Sequence, residues 1–203
     1  MKEIVKTTIE SLKKNNIKAY YFTDIDSAAD ALLDEIVSDG VVGIGGSLTV
    51  KSLAIAQKLI QRGNKVFWHW LEDTPERQEN ARKEALLCDV YITSTNALTQ
   101  KGQLVNTDGT GNRVASMIFG PKKVIIVCGT NKIVKDLDEA LERIKTSAVM
   151  NAKRLGSNTP CVTTGKCTDC NSENRICRIT TIIDRKPFQT EMTVMIIDKE
   201  LGY

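Results

Sequence analysis

Apolar residues along this chain alternate between a helical and a strand-like period, and that alternation predicts its architecture. Ile4, Val5, Ile9 and Leu12 recur at helical spacing before a Lys13-Lys14-Asn15-Asn16 stop, and Ile17 to Phe22 then reads as a strand. Asp26 and Ser27 can cap a second helix that runs through Leu32, Leu33, Ile36 and Val37 and closes at Asp39-Gly40. Val41 to Ile44 is a buried strand that turns on glycines into a helix with an apolar face of Val50, Leu53, Ala54, Ala56, Leu59 and Ile60. A strand at Lys65 to Trp68, a polar insertion from His69 to Glu79 and a charged helix ending near Cys88 continue the order. Asp89 to Thr93 is a further strand, Gly102 to Asn106 is short and extended, and Thr110 to Phe119 is a short helix. Lys123 to Gly129 is the most apolar strand, followed by a long helix from about Asp136 to Arg154.

Short β-rich runs separated by helices predict an α/β fold: a mostly parallel sheet with flanking helices and right-handed crossovers. Beyond Gly156 the pattern changes. Ser157-Asn158-Thr159-Pro160 breaks the helix, a Cys-rich loop follows, and Ile179–Ile183 with Thr193–Ile197 reads as a terminal β-hairpin extending the sheet. Residues 157–203 are too few to stand alone, so the chain 1–203 reads as a single domain.

Composition narrows the function classes. A net charge of +3 from 28 basic and 25 acidic residues is too balanced for a polyanion-binding tail, and nucleic acid is not an expected partner. No apolar run approaches the roughly 20 residues of a membrane span, and Met1 to Lys6 lacks a signal-peptide core. The expected location is therefore cytoplasmic, where clustered cysteines are more often metal ligands or redox groups than structural disulfides.

Three polar stretches are candidates for a ligand site. In Gly43-Ile44-Gly45-Gly46-Ser47 a strand turns sharply into a helix, the arrangement in which backbone N–H groups meet an anion. It lacks the Gly-Lys-Ser/Thr ending of a nucleotide loop and the glycine spacing of a dinucleotide loop, which leaves a phosphate or carboxylate; a tight turn with Ser47 as a cap, binding nothing, is the plainer reading. Asn106 to Arg113 packs Asp108, Gly109, Gly111, Asn112 and Arg113 into eight residues, more than an ordinary turn needs. Arg113 can fork onto an anion, and Asp108 can serve as a base or as that arginine's partner. Asn96 lies after a strand, as Ser47 and Lys132 do, and ligands of open α/β sheets collect at the carboxyl ends of strands. The ligand-binding candidates are therefore Gly45, Gly46, Ser47, Asn96, Asp108, Gly109, Asn112 and Arg113, and the catalytic candidates are Asp108, Glu72 and Lys132. His69, between two tryptophans, reads as a packed or surface histidine, and Glu72 is equally explained by a solvated loop.

The most specific chemical signal is Cys161, Cys167, Cys170 and Cys177 on one polar loop. A Cys-x-x-Cys unit bends two thiolates toward one centre, the outer cysteines complete a four-sulfur set, and no histidine lies near. The presence of one Cys-x-x-Cys pair rather than two favours a 4Fe-4S iron–sulfur cluster, with zinc, free thiols, a disulfide or a redox dithiol as alternatives. Cys88 and Cys128 read as packing residues.

Over nearly its whole length the chain resembles the LUD-domain family, the lactate-utilisation proteins. The carrying motifs are Gly43 to Ser47, Thr93-Ser94-Thr95-Asn96-Ala97-Leu98-Thr99, Gly102 to Ala115, Gly120-Pro121 and Gly129-Thr130-Asn131-Lys132. The resemblance implies a fold similar to ribose-phosphate isomerases, glucosamine-phosphate deaminases and CoA transferases. It also implies a small anionic ligand and a role in L-lactate oxidation beside iron–sulfur and other redox-protein partners. Fold similarity does not carry the isomerase or transferase chemistry over, although such an enzyme is an alternative, as is a non-catalytic binding protein with structural zinc. Homo-oligomerisation is compatible with each reading. The four-cysteine loop departs from the shorter lactate-utilisation subunits, which casts the chain as a variant carrying its own metal centre.

Overall fold

A computed structural model describes residues 1–203. In chain order the elements are α1 (Glu3–Lys14), β1 (Lys18–Phe22), α2 (Ile25–Asp34), β2 (Val41–Ile44), α3 (Leu48–Lys51), α4 (Ile55–Gln61), β3 (Lys65–Phe67), α5 (Pro75–Leu86), β4 (Val90–Thr93) and β5 (Ala97–Thr99). They continue with β6 (Leu104–Asp108), α6 (Asn112–Ile118), β7 (Lys123–Gly129), β8 (Ile133–Val134), α7 (Leu137–Arg154), α8 (Pro160–Thr164), β9 (Ile179–Ile183) and β10 (Glu191–Ile197). Single 3-10 turns follow β3 at His69–Leu71 and β7 at Thr130–Lys132.

The main sheet has six parallel strands in the order β1-β10-β7-β4-β2-β3. Alternation along its central strands fills two cores: Val124, Ile126, Cys128, Val194 and Ile196 face one side with α1, and Ile125, Val127, Met195 and Ile197 face the other with α2 and α4. A sheet covered on both faces explains the near-continuous apolar runs of β7 and β10. The same burial corrects the expected terminal hairpin. From Met192 to Ile197 every residue of β10 is buried, and the strand inserts between β1 and β7, parallel to both. Meanwhile β9 joins a second, four-stranded sheet, β8-β5-β6-β9, by pairing antiparallel with β6.

Local chemistry moves several boundaries. The cap of α2 is Asp24, whose carboxylate accepts the Ser27 N–H at 2.8 Å, rather than Asp26 or Ser27. The helix expected after the glycine turn is two, broken where Ala54 adopts a left-handed φ of 50°. Within the expected polar insertion, Thr74 caps α5 and Pro75 occupies its first turn, so that helix starts earlier.

These connections place the site. Strand β2 leads outward to β3 and the chain then returns past it to β4, so the order reverses between β2 and β4. The turns leaving β2, β4 and β7, three adjacent strands, meet at one edge of the sheet. The second sheet, fed by β4 into β5 and by β7 into β8, rises above that edge with α7 packed against it.

Candidate functional site

Between the strand-end turns and the second sheet lies a cleft of about 320 Å³. Gly46, Ser47, Asn96, Asp108, Gly109, Asn112, Arg113 and Lys132 all line it. Gly45 lies beneath it, its amide continuing the ladder to the Ile92 carbonyl at 2.9 Å. A side chain there would come within 2.8 Å of Tyr91 Oη and 2.9 Å of Thr93 Oγ1, so Gly45 answers to close strand approach. Glu72 lies outside the cleft, in a neighbouring groove with Trp68, Leu71 and Gln78. Ser47 does cap α3, its oxygen accepting the Val50 N–H at 3.2 Å, which leaves the hydroxyl proton to point elsewhere.

The wall from residues 106–113 is a dense network that leaves Asp108 Oδ2 and Asn106 Nδ2 buried without a hydrogen-bond partner. Arg113 Nη1 donates to Asn106 Oδ1 at 2.6 Å and to the Ser94 carbonyl at 3.2 Å; Nη2 donates to Asn96 Oδ1 and the Thr107 carbonyl, each at 2.9 Å. Its Nε stands 3.4 Å from Asp108 Oδ2. Asp108 Oδ1 accepts the Thr110 and Gly111 N–H groups at 3.1 Å, holding the turn that starts α6. Asn96 and Asn106 brace each other's strands, Asn96 N–H to Asn106 Oδ1 at 3.2 Å and Thr107 N–H to Asn96 Oδ1 at 2.9 Å. The arginine fork expected for an anion is thus closed on the protein, and Arg113 offers the cleft charge rather than free donors.

Lys132 is arranged otherwise. Its side chain is buried, and Nζ donates to Thr49 Oγ1 and Ser94 Oγ, both at 3.0 Å, with no carboxylate paired to it. Burial pushes its ammonium down to about 7, and the Arg143 and Arg113 charges act in the same direction. Arg143, half-buried, donates to the Asn131 and Asn96 carbonyls and carries no ion pair either. Arg82 and Arg154 add positive charge to the lining, so four cationic side chains, with Arg113 and Lys132, border the cleft against the single side-chain carboxylate of Asp108. His69 sits against Gly46, pushed down to about 4 by its burial with the Arg82 charge adding to it, and is therefore neutral near pH 7.

Sequence patterns pointed to Thr49, beside Ser47, and to the Ser94–Ala97 stretch, but missed Arg82, Arg143 and Arg154. The arginines come from helices α5 and α7, where charged residues look like a solvated face, and no local motif marks them.

Cys161, Cys167, Cys170 and Cys177 all line a second cavity of about 460 Å³ between their loop and α7. Asp169, at a left-handed φ of 46°, makes the bend inside Cys-x-x-Cys. Arg175 staples the loop, donating to the Cys170 carbonyl at 2.6 Å, the Cys177 carbonyl at 2.7 Å and Asp169 at 3.0 Å. Burial pushes the Cys177 thiol up, Arg175 opposes this, and the other three thiols add to it. No three of them stand at metal-ligating spacing. Cys88 and Cys128 are buried in the core and their thiols are pushed up to about 12 and about 11 by burial, as packing residues should be.

Fold and cleft together define an α/β protein with a cation-lined cleft at the carboxyl edge of a parallel sheet. The chain matches the LUD domain over residues 5–197, and it belongs to that family. Its fold is similar to the crystal structure of a DUF162 family protein from Deinococcus radiodurans, with a TM-score of 0.58 and 13% identity over 96% of each chain. No curated protein matches it. No helix is long and apolar enough to cross a membrane.

Proposed function

We propose that this LUD-domain protein binds a small carboxylate or phosphate in the cleft and carries a four-thiolate metal centre beside it, acting in lactate or carboxylate metabolism. The observation that carries the ligand class is Lys132, a buried cation whose only partners are two hydroxyls and which faces an open, cation-rich cleft. Such a charge is costly without a counter-ion, and a ligand anion supplies one. Lys132 and the Ser47 hydroxyl would contact it, while Arg113 holds the opposite wall in place. An isomerase-like or transferase-like enzyme would need a general base. Asp108 Oδ1 is engaged by two N–H groups, but its Oδ2 has only the Arg113 ion pair at 3.4 Å, and Glu72 is outside, so that alternative rests on Asp108 or Lys132.

The four cysteines would hold the metal after drawing together around the cavity they share, with Arg175 fixing the loop. An iron–sulfur cluster would supply one-electron chemistry and exchange with a redox-protein partner, whereas zinc would staple the loop. Anaerobic purification followed by metal and sulfide analysis separates these: iron and sulfide in a brown protein support the cluster, and stoichiometric zinc in a colourless one removes electron transfer. Thermal-shift titration with L-lactate, inorganic phosphate, sugar phosphates and CoA tests the cleft. The ligand reading fails if no anion raises the melting temperature.

A further inference from the structure

The anion cleft and the cysteine cavity are separated by a shared wall. Thr107, Ile176 and Cys177 line both spaces, so one of the four thiol-bearing residues also borders the ligand site. The wall is tied across its whole length. The Arg178 N–H donates to the Asp108 carbonyl at 3.0 Å, and the Thr107 and Thr180 hydroxyls meet at 2.8 Å. Strands β6 and β9 pair from Leu104↔Ile183 to Asp108↔Ile179. Gly109 is part of this fit, because a β-carbon there would lie 3.0 Å from the Ile176 carbonyl oxygen. The turn that anchors Arg113 therefore cannot move without moving the segment that carries Cys177. Helix α7 closes the unit from below, with Ile144 and Ala148 also lining both cavities.

We propose that the four-cysteine centre and the anion cleft are energetically coupled through the Ile176–Cys177 wall, so that filling either site changes the affinity of the other. This rests on the reading of the cleft as an anion site and of the cysteines as a metal site. Drawing Cys177 toward a metal shifts Ile176, against which Gly109 packs, and so resets the turn held by Asp108 and Arg113. Thermodynamic linkage makes the effect reciprocal. Cys177 thereby becomes the cysteine through which the centre senses the ligand, and Gly109 the positioning residue that transmits the change.

The test uses the full chain, purified anaerobically, stripped by chelation and reloaded with Co²⁺, whose thiolate charge-transfer absorbance reports occupancy. Inorganic phosphate and L-lactate binding is measured by calorimetry with and without Co²⁺, and Co²⁺ affinity is measured with and without each anion. The expected result is a change of at least about fivefold, equal in the two directions. Gly109→Ala, which presses on the Ile176 carbonyl, should shrink it to under about twofold. If that variant does not fold, Thr180→Val, which deletes the hydroxyl pair, should shrink it in the same direction. Equal affinities with both sites filled in the parent chain would overturn the coupling and leave the two-site reading standing. Failure of either site to bind would overturn both.

Discussion

On the wall formed by residues 106–113, the Arg113 guanidinium meets four oxygen acceptors and a carboxylate, whereas across the cleft, where β2, β4 and β7 end, Lys132 meets only two hydroxyls. Both cations are largely withdrawn from solvent: the Arg113 side chain is 13% exposed and the Lys132 residue 5%. A buried charge with a full set of partners belongs to the architecture, because its desolvation is offset inside the protein. A buried charge without them stores an unmet interaction. On the function proposed above a ligand completes it, and the difference divides the cleft into a frame and a binding group, although both residues look like anion binders in a sequence.

Removing the framed cation should have the largest effect. Arg113→Met would leave Asp108 without its charge partner and remove four hydrogen bonds at once, two of them to the Ser94 and Thr107 carbonyls, and should cost roughly 3–5 kcal/mol in denaturant unfolding. A loss under about 1 kcal/mol would show that the network is not structural. Lys132→Met should act in the opposite sense. It replaces an unpaired buried ammonium by an apolar chain of similar length and should stabilise the ligand-free protein by about 1–3 kcal/mol. The same variant should lose the anion-induced rise in melting temperature. A destabilised Lys132→Met that still binds anions would erase the distinction between the two walls.

The contrast was only half legible in the sequence. The strand-end positions of Ser47, Asn96 and Lys132 could be read because apolar runs such as Val124–Val127 mark their strands unmistakably, and strand ends follow from that. The partners of Arg113 could not, since Ser94, Asn96 and Asn106 reach it only after a second sheet folds over the first. Nor could the place of β10: a run such as Met192–Ile197 announces burial on both faces but carries no record of the strands it will join. The cysteine spacing was plain from the chain, yet the bracing of the loop by Arg175 and the wall shared through Ile176 depend on β9 leaving the expected hairpin to pair with β6. Long-range pairing, rather than local propensity, decides each of these points.

The finest probe of the two walls is pH. Lys132 releases its proton near 7 in the folded chain and at its ordinary value of 10.5 when unfolded. Between those values the unfolded state binds more protons, so this group makes stability rise with pH; below about 7 both states are protonated and its contribution is flat. From pH 7 to 8.5 the gain should be roughly 1–2 kcal/mol relative to Lys132→Met, whose profile lacks this rise. Sulfate keeps its charge over that range and makes a clean ligand. Its affinity should fall up to about tenfold per pH unit above 7, as the ammonium it pairs with is lost. Saturating sulfate should hold Lys132 protonated and flatten the stability rise. Parallel profiles for the parent chain and Lys132→Met would mean that Lys132 finds its counter-charge within the protein, as Arg113 does.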